Sequence, residues 1–77
     1  MSEALELEIE AAWVELTRMR AGRQRTLYLT PRRHVEWRPK KLESPNCIEI
    51  GTYSNGATLA DLRDDVFWTH EQRRKAA

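Results

Sequence analysis

Few side chains in this sequence could hold a metal or work as a nucleophile and its base: Cys47, His34 and His70, with the adjacent carboxylates Asp64 and Asp65. A zinc site draws three or four such ligands from short, regular spacings. Here each is isolated, and no CxxC, HxH or HExxH pattern occurs. An activated thiolate needs a helix N-terminus or neighbouring cations, whereas Cys47 opens an apolar, β-branched run and reads as a small buried hydrophobe. Neighbouring residues on a helix point about 100° apart, so Asp64 and Asp65 do not converge on one proton. Gly22, Gly51 and Gly56 stand singly, so no glycine-rich phosphate loop is written into the chain. These residues predict no catalytic centre, no metal site and no cofactor; the chain reads as not an enzyme.

Charge offers more. Net charge is only +1, yet it is strongly segregated. Residues 1–15 hold five acids and no base, and residues 16–41 hold nine bases against Glu36 alone. Residues 42–71 return to six acids against Arg63, and Arg73, Arg74 and Lys75 close the chain. Arg and Lys neutralise phosphates, and an exposed aromatic on a sheet can stack a base. The basic stretch, with Arg23, Arg25, Arg32, Arg33, Arg38, Lys40 and Lys41 interleaved with Tyr28, is therefore a candidate binding surface. Against a nucleic-acid reading stand Glu36 and Glu49, expected on the same sheet face and able to pair across strands with Arg38 or His34. The same basic region can also neutralise the acidic segments of its own molecule.

Three tryptophans fall in this short chain. Trp is enriched at binding hot spots and is also the largest core filler. Trp13 and Trp37 sit at core positions of their elements. Trp68 follows Phe67 directly and points about 100° away from it on a helix, so Trp68 joins the candidate binding residues.

The elements that must position these groups follow from periodicity. Residues 3–21 predict a helix with Ser2 as N-cap, Glu3 and Glu6 in its first turn, and Gly22 as a left-handed C-cap. Leu5, Ile9, Trp13, Leu16 and Met19 mark its inner face. Alternation then predicts strands over 25–30, 34–38 and 47–53, the first two joined as a hairpin through Thr30-Pro31-Arg32-Arg33. Leu27, Leu29, Val35, Trp37, Ile48 and Ile50 are expected inward. Thr26, Tyr28, Thr30, His34, Glu36, Arg38, Glu49 and Tyr53 are expected outward. Residues 39–46, with Pro39 and Pro45, read as a loop. Asn55-Gly56 suits a tight hairpin turn, which would make 57–62 a fourth strand. The competing pattern is helical: Thr58 and Asp61 form a capping box, and Leu59, Leu62, Val66, Phe67 and His70 share a face. The helical pattern is preferred, from about Thr58 to Arg74, with a break or restart conceivable near Asp64–Asp65.

The expectation is a single α+β domain over 1–77: N-terminal helix, three-stranded antiparallel sheet, C-terminal helix. A chain of 77 residues leaves little room to carve a deep ligand pocket. One cysteine permits no internal disulfide, the first residues are acidic rather than signal-like, and no apolar run reaches the roughly 20 residues of a membrane span. A cytoplasmic location without membrane contact is expected. The function expected is that of a small non-catalytic protein-binding module, a regulator, inhibitor or assembly factor acting through its charge-segregated surface. The alternative is a nucleic-acid-binding protein using the basic 23–41 hairpin and loop.

Overall fold

The computed structural model describes residues 3–37 and 47–76, with side chains through Gln72. The expected cap Ser2 and the 39–46 loop lie outside the described residues. Helix α1 spans Glu3–Thr17 and places Glu3 and Glu6 in its first turn, where the positive end of the helix dipole favours them. Leu5, Ile9, Ala12 and Leu16 recur at helical spacing and form its buried stripe. The helix ends one turn before the sequence pattern suggests. Its last turn tightens through bonds from the Arg18 N–H to the Glu15 carbonyl (3.2 Å) and from the Met19 N–H to the Leu16 carbonyl (3.1 Å). Arg18 and Arg20 therefore lie past the helix. Gly22 does not cap it: with φ of +87° it turns the chain between Arg20 and Arg23, whose N–H donates to the Arg20 carbonyl at 3.2 Å.

Strands β1 (Arg25–Leu29), β2 (Val35–Trp37) and β3 (Ile48–Tyr53) form one antiparallel sheet in the order β2-β1-β3. The β1–β2 hairpin closes as expected over Pro31-Arg32-Arg33. The Arg33 N–H donates to the Thr30 carbonyl and the Thr30 N–H to the His34 carbonyl, both at 2.9 Å. Arg33 takes φ of 66°, a left-handed position that glycine would fill at lower cost. Thr30, expected outward, is buried at this corner, and its Oγ1 accepts the His34 N–H at 3.1 Å. His34 does not pair with a sheet carboxylate either. Its Nδ1 lies 3.0 Å from both carboxylate oxygens of Glu8, and Glu8 Oε1 also accepts the Val35 N–H at 3.3 Å. Helix α1 thus holds the turn end of the hairpin by one side chain.

The facing of β3 departs most from its alternation. Its register on β1 skips a residue: Tyr28 pairs with Glu49, but Leu27 pairs with Gly51. The bulge at Ile50 shifts the pleat by one, so Tyr53 turns inward and is buried, while Ile48 at the strand end is exposed and Ile50 only packs against the core. Gly51 is required beside this ring, because a Cβ there would come within 2.7 Å of the Tyr53 hydroxyl oxygen. That hydroxyl donates to Asp65 Oδ2 at 2.6 Å, and the ring meets Trp37 edge-on at 6.3 Å between centroids.

Helix α2 spans Leu59–Ala76 without a break at Asp64–Asp65. Residues 57–62 are no strand. The Asp61 N–H donates to Thr58 Oγ1 and the Thr58 N–H to Asp61 Oδ2, both at 3.1 Å, a reciprocal capping box that starts the helix. The Asn55-Gly56 step belongs to a turn closed by the Ala57 N–H on the Ser54 carbonyl, and the Asn55 amide donates to the Met19 carbonyl. Both helices cover the same face of the sheet, α1 over β2 and α2 over β3 and β1. Between the layers lie Leu5, Ile9, Ala12, Leu16, Leu27, Leu29, Val35, Tyr53, Leu62 and Val66. Trp13 and Trp37 wall this core and each is tied to a neighbouring element, the Trp13 indole N–H to the Ala57 carbonyl at 3.0 Å and that of Trp37 to the Ala12 carbonyl at 3.1 Å. No helix among the described residues is long and apolar enough to cross a membrane.

Leu29 is fully buried, so Leu29→Ala should cost about 2–5 kcal/mol and lower the melting temperature by ten degrees or more on the order expected for this size. An unchanged melting curve would contradict its place in the core. Burial, followed by the hydrogen bond to Asp65 and its charge, raises the Tyr53 pKa well above the ordinary tyrosine range. The unfolded chain then ionises this phenol first. Its contribution is complete below about pH 10 and is lost above it, at up to roughly 1.4 kcal/mol per pH unit. Urea titrations of the wild type and Tyr53→Phe should differ by a constant amount up to about pH 9, with the gap narrowing beyond pH 10. A gap that stays constant through pH 11 would show that the phenol is not held in this bond.

Candidate functional site

The basic stretch is divided by the strand that carries it. Arg25 begins β1, whereas Arg32 and Arg33 sit on the hairpin tip beyond its far end. At about 3.3 Å per residue, five residues of strand separate the two groups by roughly 15 Å. The tip arginines are exposed and neighbour the end of the sheet held by Glu8, on the acidic half of α1. Arg38, Lys40 and Lys41 lie outside the described residues. Trp37, which precedes them, pairs with Leu27.

At the other end the early stop of α1 has a consequence that periodicity alone did not reveal. Arg18 and Arg20, released from the helix, join Arg23 and Arg25 around an open groove of about 840 Å³, together with Met19, Gln24 and Thr26. Four arginines line it against the single carboxylate-bearing residue Glu15. Among the described residues, none of these four arginine side chains makes a hydrogen bond or ion pair; the ion pairs described are His34–Glu8 and Arg63–Glu6 (2.9 Å). Arg63 joins the two helices at their surface and lies 5.7 Å from the Phe67 ring. A half-exposed pair of this kind adds little stability.

Tyr28 lies on the outer sheet face, half-buried, with Glu36 opposite on β2 and Glu49 opposite on β3. Thr26 and Thr52 continue that face, their hydroxyl oxygens 2.9 Å apart. Two carboxylates flanking the aromatic make this face a poor platform for a phosphate-bearing base.

Trp68 is the large aromatic left outside. It is 66% exposed on the solvent side of α2, with Asp61 and Asp64 within two turns on the same side. On α1, Leu7 (66%) and Val14 (37%) likewise point away from the core. The spacing of Ala4, Leu7, Ala11 and Val14, three, four and three residues apart, would have found this second apolar stripe, which lies opposite the buried one. Glu3, Glu8, Glu10 and Glu15 flank it.

Cys47 is half-buried just before β3, His34 sits in the β1–β2 connection and His70 lies on α2. Among the described residues, no three of His, Cys, Asp or Glu gather as a metal-binding group. No protein-family model, curated protein or solved structure matches the chain.

Proposed function

We propose that this chain is a small non-catalytic protein-binding module, a regulator, inhibitor or assembly factor, that meets its partner through the solvent side of its two helices. The observation that carries this reading is the contrast among the tryptophans. Trp13 and Trp37 are tied to backbone carbonyls at the edge of the core, while Trp68 stands 66% exposed and contributes nothing to that core. An exposed Trp next to acidic residues fits a pocket on another protein that has an apolar floor and a Lys/Arg rim. Leu7 and Val14, exposed among glutamates, extend the same chemistry onto α1. A phosphate backbone would be repelled by this surface. A nucleic-acid reading draws its support from the arginines at the opposite end of the fold, and it is weakened by the distance between Arg25 and the Arg32–Arg33 tip.

The experiment is a nuclease-treated pull-down from the native host, comparing the wild type with Trp68→Ala. Discrete protein bands that survive nuclease and disappear with the substitution are expected, with affinity falling ten-fold or more, as is usual on the order of a hot-spot Trp. The melting temperature should barely move, since an exposed residue away from the core costs about 0.5 kcal/mol or less. A large drop in melting temperature, or recovery that vanishes with nuclease, would refute the reading.

A further inference from the structure

The arginine groove is separate from the Trp68 surface, and its chemistry points to a ligand of its own. We infer that the groove formed by Arg18, Arg20, Arg23 and Arg25 is a docking cleft for an acidic, extended segment of a protein partner. Three features of the groove carry this. The four arginines arise from three consecutive pieces of chain, the turn that follows α1, the turn through Gly22 and the start of β1, so the fold gathers them on one opening. They are uncommitted: among the described residues no hydrogen bond or ion pair occupies their forks. A volume of about 840 Å³ admits a few residues of extended chain.

A guanidinium offers paired N–H donors that match a carboxylate bidentately, so Asp and Glu side chains are well suited to the opening. A polynucleotide fits the surroundings less well. Glu15 lines the groove itself, Glu10 and Glu8 follow on the same helix, and Glu36 and Glu49 mark the outer sheet face. A long phosphate backbone leaving the groove would run onto these carboxylates. Nor does a net charge of +1 create the long-range field that gathers polyanions. A short acidic segment takes the four cations and stops.

The test uses the full chain and two fluorescent probes of about eight units each, a Glu/Ser peptide and a single-stranded oligonucleotide, at about 50 mM salt where surface electrostatics are strong. The peptide should bind, and Arg20→Ala/Arg25→Ala should weaken it at least ten-fold. Arg32→Ala/Arg33→Ala, which removes equal charge from the hairpin tip, should leave it nearly unchanged. Unaltered circular dichroism and melting establish that both variants fold, and Arg20→Lys/Arg25→Lys, which keeps charge but loses the fork, should recover only part of the affinity. Equal losses from groove and tip would show a response to net charge alone and overturn the cleft. Oligonucleotide binding that is tighter than peptide binding, steep in salt and lost with the groove arginines would assign the groove to nucleic acid instead. Trp68→Ala should not affect the peptide, so either surface can fail while the other stands.

Discussion

Burying Tyr53 is the constraint on which the arrangement depends. A core this small cannot close with aliphatic residues alone, and the tyrosine ring supplies bulk where β3 meets α2. Burial of its hydroxyl demands an acceptor, which Asp65 provides from α2. The ring also needs a strand neighbour without a side chain, which Gly51 provides, and a change of pleat, which the bulge at Ile50 provides. The two tryptophan ties follow the same logic. Each indole N–H at the core boundary finds a carbonyl on a different element, so the bonds that satisfy the aromatics also fix how α1 sits on β2 and how the chain enters α2. The layers are thus oriented by a few directional bonds as well as by apolar contact, which has no direction.

Much of this was legible in residue spacing. The three-and-four pattern of Leu5, Ile9 and Leu16, the alternation of Leu27 and Leu29, and the Thr58–Asp61 box each state a local rule that the tertiary structure obeys. The misreadings arise where long-range packing overrides the local rule. Alternation places Tyr53 outward because it counts residues, and a bulge adds one that pairing does not count. A glycine inside the strand was the available cue, since Gly51 in an otherwise β-branched run marks a bulge or a close approach. Spacing carries α1 too far because Met19 suits the inner face whether it is helical or not; it packs against the core from the following turn instead.

The candidate surfaces show the same division. Trp68 could be singled out because Phe67 and Trp68 point about 100° apart on a helix, an angle that needs no knowledge of the partner elements. The arginines could not be sorted from spacing, because a sequence run has no ends in space. Once β1 is a strand, its length sends Arg25 and the Arg32–Arg33 tip to opposite sides of the molecule. The tip then neighbours a helix end rich in glutamate, and the other group neighbours the carbonyl end of the same helix, where positive charge is favoured even without a ligand. The charge segregation written along the chain is therefore partly folded back on itself and partly left open in the groove.

The bulge that turns Tyr53 inward has another effect, on what the sheet does to its neighbours. Among the described residues β1 lies in the middle and β2 and β3 form the edges, and an edge strand is a template for a foreign chain. The β2 edge is only three residues long, too short to template much. The β3 edge is twice that length and would be the more hazardous, but the irregularity at Ile50 breaks the even run of donors and acceptors that a foreign strand would have to match. The same extra residue that completes the interior thus makes this edge a poorer template for a foreign strand.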